Sequence, residues 1–100
     1  MAQPGPDDDL ADDIRALAGV FLEARRADLE RLDAALATDD LDTVRAVGHA
    51  FKGSCAPFGF PEAGTIGAAL EEAAARGDRE AVEQLVPRLR ASLPRDGTGA

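Results

Sequence analysis

The stretch HAFKGSCAPFG, residues 49–59, holds the chain's only histidine and only lysine, three positions apart, with a glycine directly after the lysine. Every other basic residue is arginine. At about 100° of helical rotation per residue, with Phe51 at zero, Leu41, Val44, Val47, Gly48, Cys55 and Phe58 fall within about −40° to +80° and form a core stripe. His49 falls near about 160°, and Arg45, Lys52, Gly53 and Ala56 surround it between about 100° and 200°. The spacing therefore predicts an exposed histidine, with a cation one turn away on either side and nearly bare ground at Gly53 and Ala56. Glycine inside a helix costs about 1 kcal/mol relative to alanine, so Gly53 asks for a reason other than helix formation.

Outward from this stretch the pattern is helical throughout. Residues 1–8, MAQPGPDD, are rich in Pro, Gly and Asp, lack periodicity and read as a disordered tail. Leu10, Ile14, Leu17, Phe21, Leu29, Leu32 and Leu36 then recur at helical intervals, predicting a first helix over about 9–37. Within it Ala24 continues the stripe while Arg25 and Asp28 interrupt it, and Arg25 and Arg26 read as a solvated face. The run DDDLADD at 7–13 reads as a charge cluster suited to the positive end of a helix. Thr38-Asp39-Asp40 ends the first helix and caps a second of about 41–58, which Gly59 terminates. Pro57 takes a helical donor from the carbonyl of Gly53, and a bend should follow. Pro61 opens a third helix, about 61–76, with Ala63, Ile66, Leu70 and Ala73 or Ala74 inward. Gly64 and Gly67 let a neighbouring helix approach closely. Gly77 and Asp78 separate it from a fourth helix, about 79–93, that buries Val82, Leu85, Val86, Leu89 and Leu93 and is kinked at Pro87. Residues 94–100 read as a flexible C-terminal tail. No segment alternates with period two. Short connections between four amphipathic helices predict one all-α domain, an antiparallel up-down-up-down four-helix bundle over 9–93.

Composition narrows the function. The chain of 100 residues carries a net charge of −8, which argues against nucleic-acid binding. One cysteine, Cys55, allows no intramolecular disulfide, has no metal-ligand spacing and falls on the core stripe, so a buried, unreactive thiol is expected. No apolar run is long enough to span a bilayer and no signal-peptide pattern opens the chain. A cytoplasmic monomer without metal or cofactor is the expectation.

The chemistry follows from His49. A neutral imidazole is a good nucleophile toward an activated phosphoryl group, and transfer of such a group depends mainly on positioning and electrostatics. Lys52 is placed to compensate the phosphoryl charge. No carboxylates are set to hold Mg²⁺ beside His49, and no Gly-rich loop could cradle a nucleotide, so activation must come from a partner protein. Residues 44–61 contain Arg45 and Lys52 and no acid, which predicts a locally basic docking face.

His-Ala-Phe-Lys-Gly-Ser at 49–54, with the Phe58-Gly59 pair, strongly resembles the histidine-containing phosphotransfer (HPt) domain. The similarity extends over about residues 10–93, including the passage LEEAAARGDREAVEQLVPRL from the third helix to the fourth. The resemblance implies a phosphorelay intermediate and no enzyme of its own. His49 would accept a phosphoryl group from a receiver-domain aspartate and pass it to another receiver. Lys52 would be its electrostatic partner and Gly53 the gap that gives access. Arg45 and Ala56, which share the face of His49, are further candidate docking positions, and Arg45 reads equally well as surface filler. The implied partners are the receiver domains of hybrid histidine kinases and response regulators. HPt domains often place a polar residue from the third helix beside the histidine; Glu71 and Glu72 are nearest by spacing, but a carboxylate would repel phosphate, so both are left outside the site. Two rival readings exist. A histidine-kinase dimerisation domain usually has an acidic residue after its histidine, where Ala50 stands here. A degenerate bundle acting only as an adaptor would not need His49 and Lys52 together.

Overall fold

The computed structural model describes residues 6–94, without the side chains of 6–12 and 14. Expectations for residues 1–5 and 95–100, and for the side chains of Leu10 and Ile14, lie outside the described residues. Four α-helices follow one another: α1 Pro6–Ala37, α2 Leu41–Ser54, α3 Pro61–Ala75 and α4 Arg79–Ala91, with a 3₁₀ turn at Ala56–Phe58 between α2 and α3. There is no strand among the described residues. α1 starts at Pro6, ahead of the expected start at 9, because proline at a first helical position sacrifices no hydrogen bond.

Side chains close the helix ends as the sequence led us to expect. Asp40 accepts a hydrogen bond from the Thr43 N–H and Asp78 from the Ala81 N–H, each at 3.1 Å. Gly77, with φ +71°, makes the left-handed turn between α3 and α4 that a side chain would disfavour. The C-terminal end of α2 is a correction. The helix stops at Ser54, four residues short of the expected Phe58, because Pro57 has no N–H to continue it. Phe58 N–H bonds the Cys55 carbonyl three residues back instead, and Gly59 turns the chain at φ +93°. α4 contains Pro87 and ends at Ala91, although Leu93 beyond it is still buried.

The core is made of Leu29, Leu32, Val44, Val47, Phe51, Cys55, Ile66, Leu70, Val82, Val86 and Leu89, with alanines filling the gaps. The tightest contact joins α2 to α3. A Cβ added at Gly67 would lie 2.5 Å from the Phe51 Cβ and 2.9 Å from both the Gly48 oxygen and the Lys52 nitrogen. At Gly48 it would lie 2.7 Å from the Glu71 nitrogen and 2.8 Å from the Gly67 oxygen. The two backbones thus touch with no side chain between them. Gly64 does not share this role, because a Cβ there would make ordinary contacts of 3.7–3.8 Å.

Several apolar and charged positions depart from the expected pattern. Leu17 is 58 % exposed, although it continues the stripe, because α1 has 32 residues against 13–15 for α2, α3 and α4 and outruns them. Phe58 leaves the core with the 3₁₀ turn and stacks on Phe21, ring centroids 4.4 Å apart. Arg25 and Asp28, read as interruptions of the stripe, turn inward while Ala24 is exposed. They pair at 3.1 Å, and the Arg25 guanidinium donates to Ser54 Oγ at 2.7 Å and lies over the Phe21 and Phe51 rings. A buried charge is tolerable only when paired. Asp28 also accepts a hydrogen bond from Arg31 at 3.1 Å, while Arg25 Nε and Asp28 Oδ2 have no hydrogen-bond partner among the described residues. Arg26, expected on a solvated face, is half-buried and donates to the Pro94 carbonyl at 3.4 Å.

Gly67→Ala is expected to destabilise the domain by about 1–3 kcal/mol, a fall of at least about 4 °C in Tm. Gly53→Ala, whose methyl would meet nothing within 4 Å, should leave Tm unchanged or raise it. Thermal unfolding followed by circular dichroism checks both, and a wild-type Tm for Gly67→Ala would contradict the backbone contact.

Candidate functional site

The α2–α3 contact decides what stands next to His49. Because the backbone of Glu71 lies against Gly48, its side chain emerges beside the following residue of α2. Glu71 Oε2 is 2.9 Å from His49 Nδ1, and Glu71 Oε1 is 3.4 Å from Lys52 Nζ. The His49 and Lys52 side chains are 72 % and 55 % exposed, whereas that of Glu71 is only 19 % exposed. One carboxylate, held between the helices, therefore joins the two residues that the sequence singled out. This corrects the placement of Glu71 outside the site. A carboxylate repels a phosphate but is a good partner for the unmodified imidazole, which is the species present here.

Desolvation opposes ionisation of Glu71, but hydrogen bonds from His49 and Lys52 and their charges outweigh it, holding the carboxyl below its ordinary value. At neutral pH the group is ionised and can only accept hydrogen bonds, so the proton of a neutral His49 ring resides on Nδ1. Nε2 keeps its lone pair and makes no hydrogen bond among the described residues. A carboxyl with a depressed folded value contributes stability above its unfolded pKa and loses it as pH falls through the folded one. The Glu71 bridge is accordingly intact at neutral pH and is lost only in acid.

The other candidates are distributed around this pair. Arg45 lines a shallow groove with Asp42, Ala46, His49 and Glu71. Asp42 and Glu71 balance Arg45 and Lys52, so the expected locally basic face is electrostatically mixed; the acids come from the start of α2 and from α3, outside residues 44–61. Gly53 opens onto free space, and Ala56 is exposed but belongs to the 3₁₀ turn and not to α2. No group of His, Cys, Asp and Glu able to hold a metal ion occurs among the described residues. Cys55 is buried, and desolvation pushes its thiol up despite the Ser54 hydrogen bond and the Arg25 charge, which fits an inert core residue. No helix among the described residues is long and apolar enough to cross a membrane.

A helical bundle that presents a histidine, a lysine one turn on and an open glycine on one exposed face has the architecture of a phosphotransfer module. The Hpt domain family matches residues 16–95, and the chain belongs to that family. Its members are phosphotransfer carriers of two-component signalling, not kinases, and they interact with receiver domains. No curated protein and no solved structure matches the chain.

In a two-bond ¹H–¹⁵N correlation spectrum at neutral pH, His49 is expected to carry its proton on Nδ1. Free histidine favours Nε2–H, so an Nε2–H signal would show that Glu71 does not hold the ring in solution.

Proposed function

We propose that His49 receives a phosphoryl group from the aspartate of one receiver domain and delivers it to the aspartate of another. The observation that carries this reading is the exposed imidazole whose Nδ1 is held by Glu71, which orients Nε2 as the nucleophile. The Nε2 lone pair attacks phosphorus as the bond to the donor carboxylate breaks, and the reverse exchange loads the second receiver. Lys52, one turn from the ring, offers its ammonium to the phosphoryl oxygens. Gly53 leaves space for a receiver to bring its aspartate to the ring, and Arg45 and Ala56 border that approach. Receiver domains of hybrid histidine kinases and response regulators are the partners, the compartment is the cytoplasm, and the acting species is the monomer.

The bundle proposed with this role is antiparallel, up-down-up-down. Contacts between distant residues support it. Arg25 of α1 reaches Ser54 at the end of α2, and Gly48 and His49 of α2 meet Gly67 and Glu71 of α3. Arg79 at the start of α4 donates to the Leu36 carbonyl and pairs with Asp39, while Arg90 near its end pairs with Asp33 at 2.7 Å.

Incubation with a ³²P-labelled receiver tests the function. Wild-type protein should take up label in an acid-labile, base-stable bond, and His49→Gln should take up none while keeping the wild-type Tm. Gly53→Leu should fold and yet accept label at least about tenfold more slowly, a barrier increase of about 1.4 kcal/mol. Label retained by His49→Gln would contradict the assignment, and wild-type transfer by Gly53→Leu would show that receivers approach elsewhere.

A further inference from the structure

Glu71 stays beside the ring after phosphorylation, and its charge then acts on a different species. Resting on the transfer role proposed for His49, we infer that Glu71 keeps Nδ1 of phosphorylated His49 protonated, so that the phosphoryl group always departs from an imidazolium. Two observations point there. The 2.9 Å contact is to Nδ1, the nitrogen that takes no part in the new bond, so phosphorylation at Nε2 does not displace Glu71. The carboxylate is also largely shielded while the ring is exposed, so Glu71 is a fixed partner.

The proton inventory shows what this achieves. When Nε2 attacks, a P–N bond forms, the P–O bond to the donor aspartate breaks, and that carboxylate leaves with the electron pair. Nδ1 keeps its proton, and the ring now carries a positive charge. An uncompensated phospho-ring would release that proton to water near neutral pH and would then have to regain it, since a neutral imidazole leaves far more readily than an imidazolate. With Glu71 ionised beside Nδ1 the positive ring is stabilised. In the onward step the acceptor carboxylate attacks phosphorus, the P–N pair returns to Nε2, and the neutral Nδ1–H ring is restored. No proton moves in either direction.

The surrounding charges are consistent with this. On α2, Asp42 and Arg45 lie along the groove beside His49, and Lys52 lies one turn on; on α3, Glu71 is the group in contact. Lys52 already pairs with Glu71 and lies one turn from the ring, so it moderates repulsion between Glu71 and an added phosphoryl group. Glu71 is thus a positioning residue that tunes the lability of the phosphoryl group through the ring. An amide at this position could accept the same hydrogen bond without stabilising the charge.

The test needs no partner protein. Wild-type and Glu71→Gln proteins are phosphorylated with phosphoramidate, and loss of phospho-His49 is followed by ³¹P NMR from about pH 6 to about pH 9. The rates should converge at the acid end, where both rings are protonated. At about pH 8 the variant should hydrolyse about tenfold more slowly, the factor that one pKa unit carries. Superimposed profiles, or one constant factor at every pH, would overturn the inference while leaving the transfer role intact. Wild-type protein that takes up no phosphoryl group on His49 would overturn the transfer role and this inference with it. The ¹⁵N shift of Nδ1 at about pH 7 reads the same proton: a mostly protonated shift is expected in wild-type phospho-His49 and a mostly bare-nitrogen shift in Glu71→Gln, and equal shifts in the two proteins would overturn the inference.

Discussion

The backbones of α2 and α3 meet at Gly48 and Gly67, and the site exists because nothing larger than hydrogen separates them there. Helices with ordinary side chains at the contact pack 8–10 Å apart, so glycine on both partners permits a closer approach (about 8 Å or less). That approach sets the backbone of Glu71 against Gly48 and brings its carboxylate within hydrogen-bonding distance of His49. A bulkier residue at either glycine would move α3 outward and carry Glu71 away from the ring. Packing and chemistry therefore share one constraint, in which a core contact fixes which imidazole nitrogen is free.

The rest of α2 is anchored from its opposite side. Phe51 and Cys55 are wholly buried, and Arg25 of α1 ties Ser54 to the paired Asp28. The Arg25 guanidinium also lies over the Phe21 and Phe51 rings, which adds a cation–π attraction to the ion pair. His49, Lys52 and Gly53 thus stand on a helix whose other face is packed into the core. Pro57 ends α2 just beyond them and turns the chain toward α3, leaving Gly53 near the end of the helix and open to free space.

Much of this was legible in the residues themselves. The helical period alone separates Val44, Val47 and Phe51 from His49 and Lys52, because core and surface lie on opposite sides of one regular helix. Asp40, Gly77 and Asp78 marked helix ends by their own turn and capping chemistry. Glu71 was readable too, since it continues the Gly64–Gly67 stripe at spacings of three and four and so must face α2. Repulsion toward a phosphate argues against a carboxylate there, whereas attraction to the unmodified imidazole argues for one. Arg25 and Asp28 were misread for a related reason: each alone is costly to bury, and only the pair, three residues apart on one helix face, makes burial acceptable. Leu17 and Phe58 depend on where neighbouring elements stop, which a periodicity within one helix does not encode.

The central claim is that Glu71, placed by the glycine contact, occupies Nδ1 and leaves Nε2 for phosphoryl transfer. The position of the phosphoryl group on the ring tests it most directly, read from ³¹P–¹H and ¹⁵N correlations on protein loaded by a phosphorylated receiver. A phosphoryl group bonded to Nε2 of His49 is the predicted result. A phosphoryl group on Nδ1 would mean that Glu71 yields that nitrogen to the chemistry, and would contradict the account.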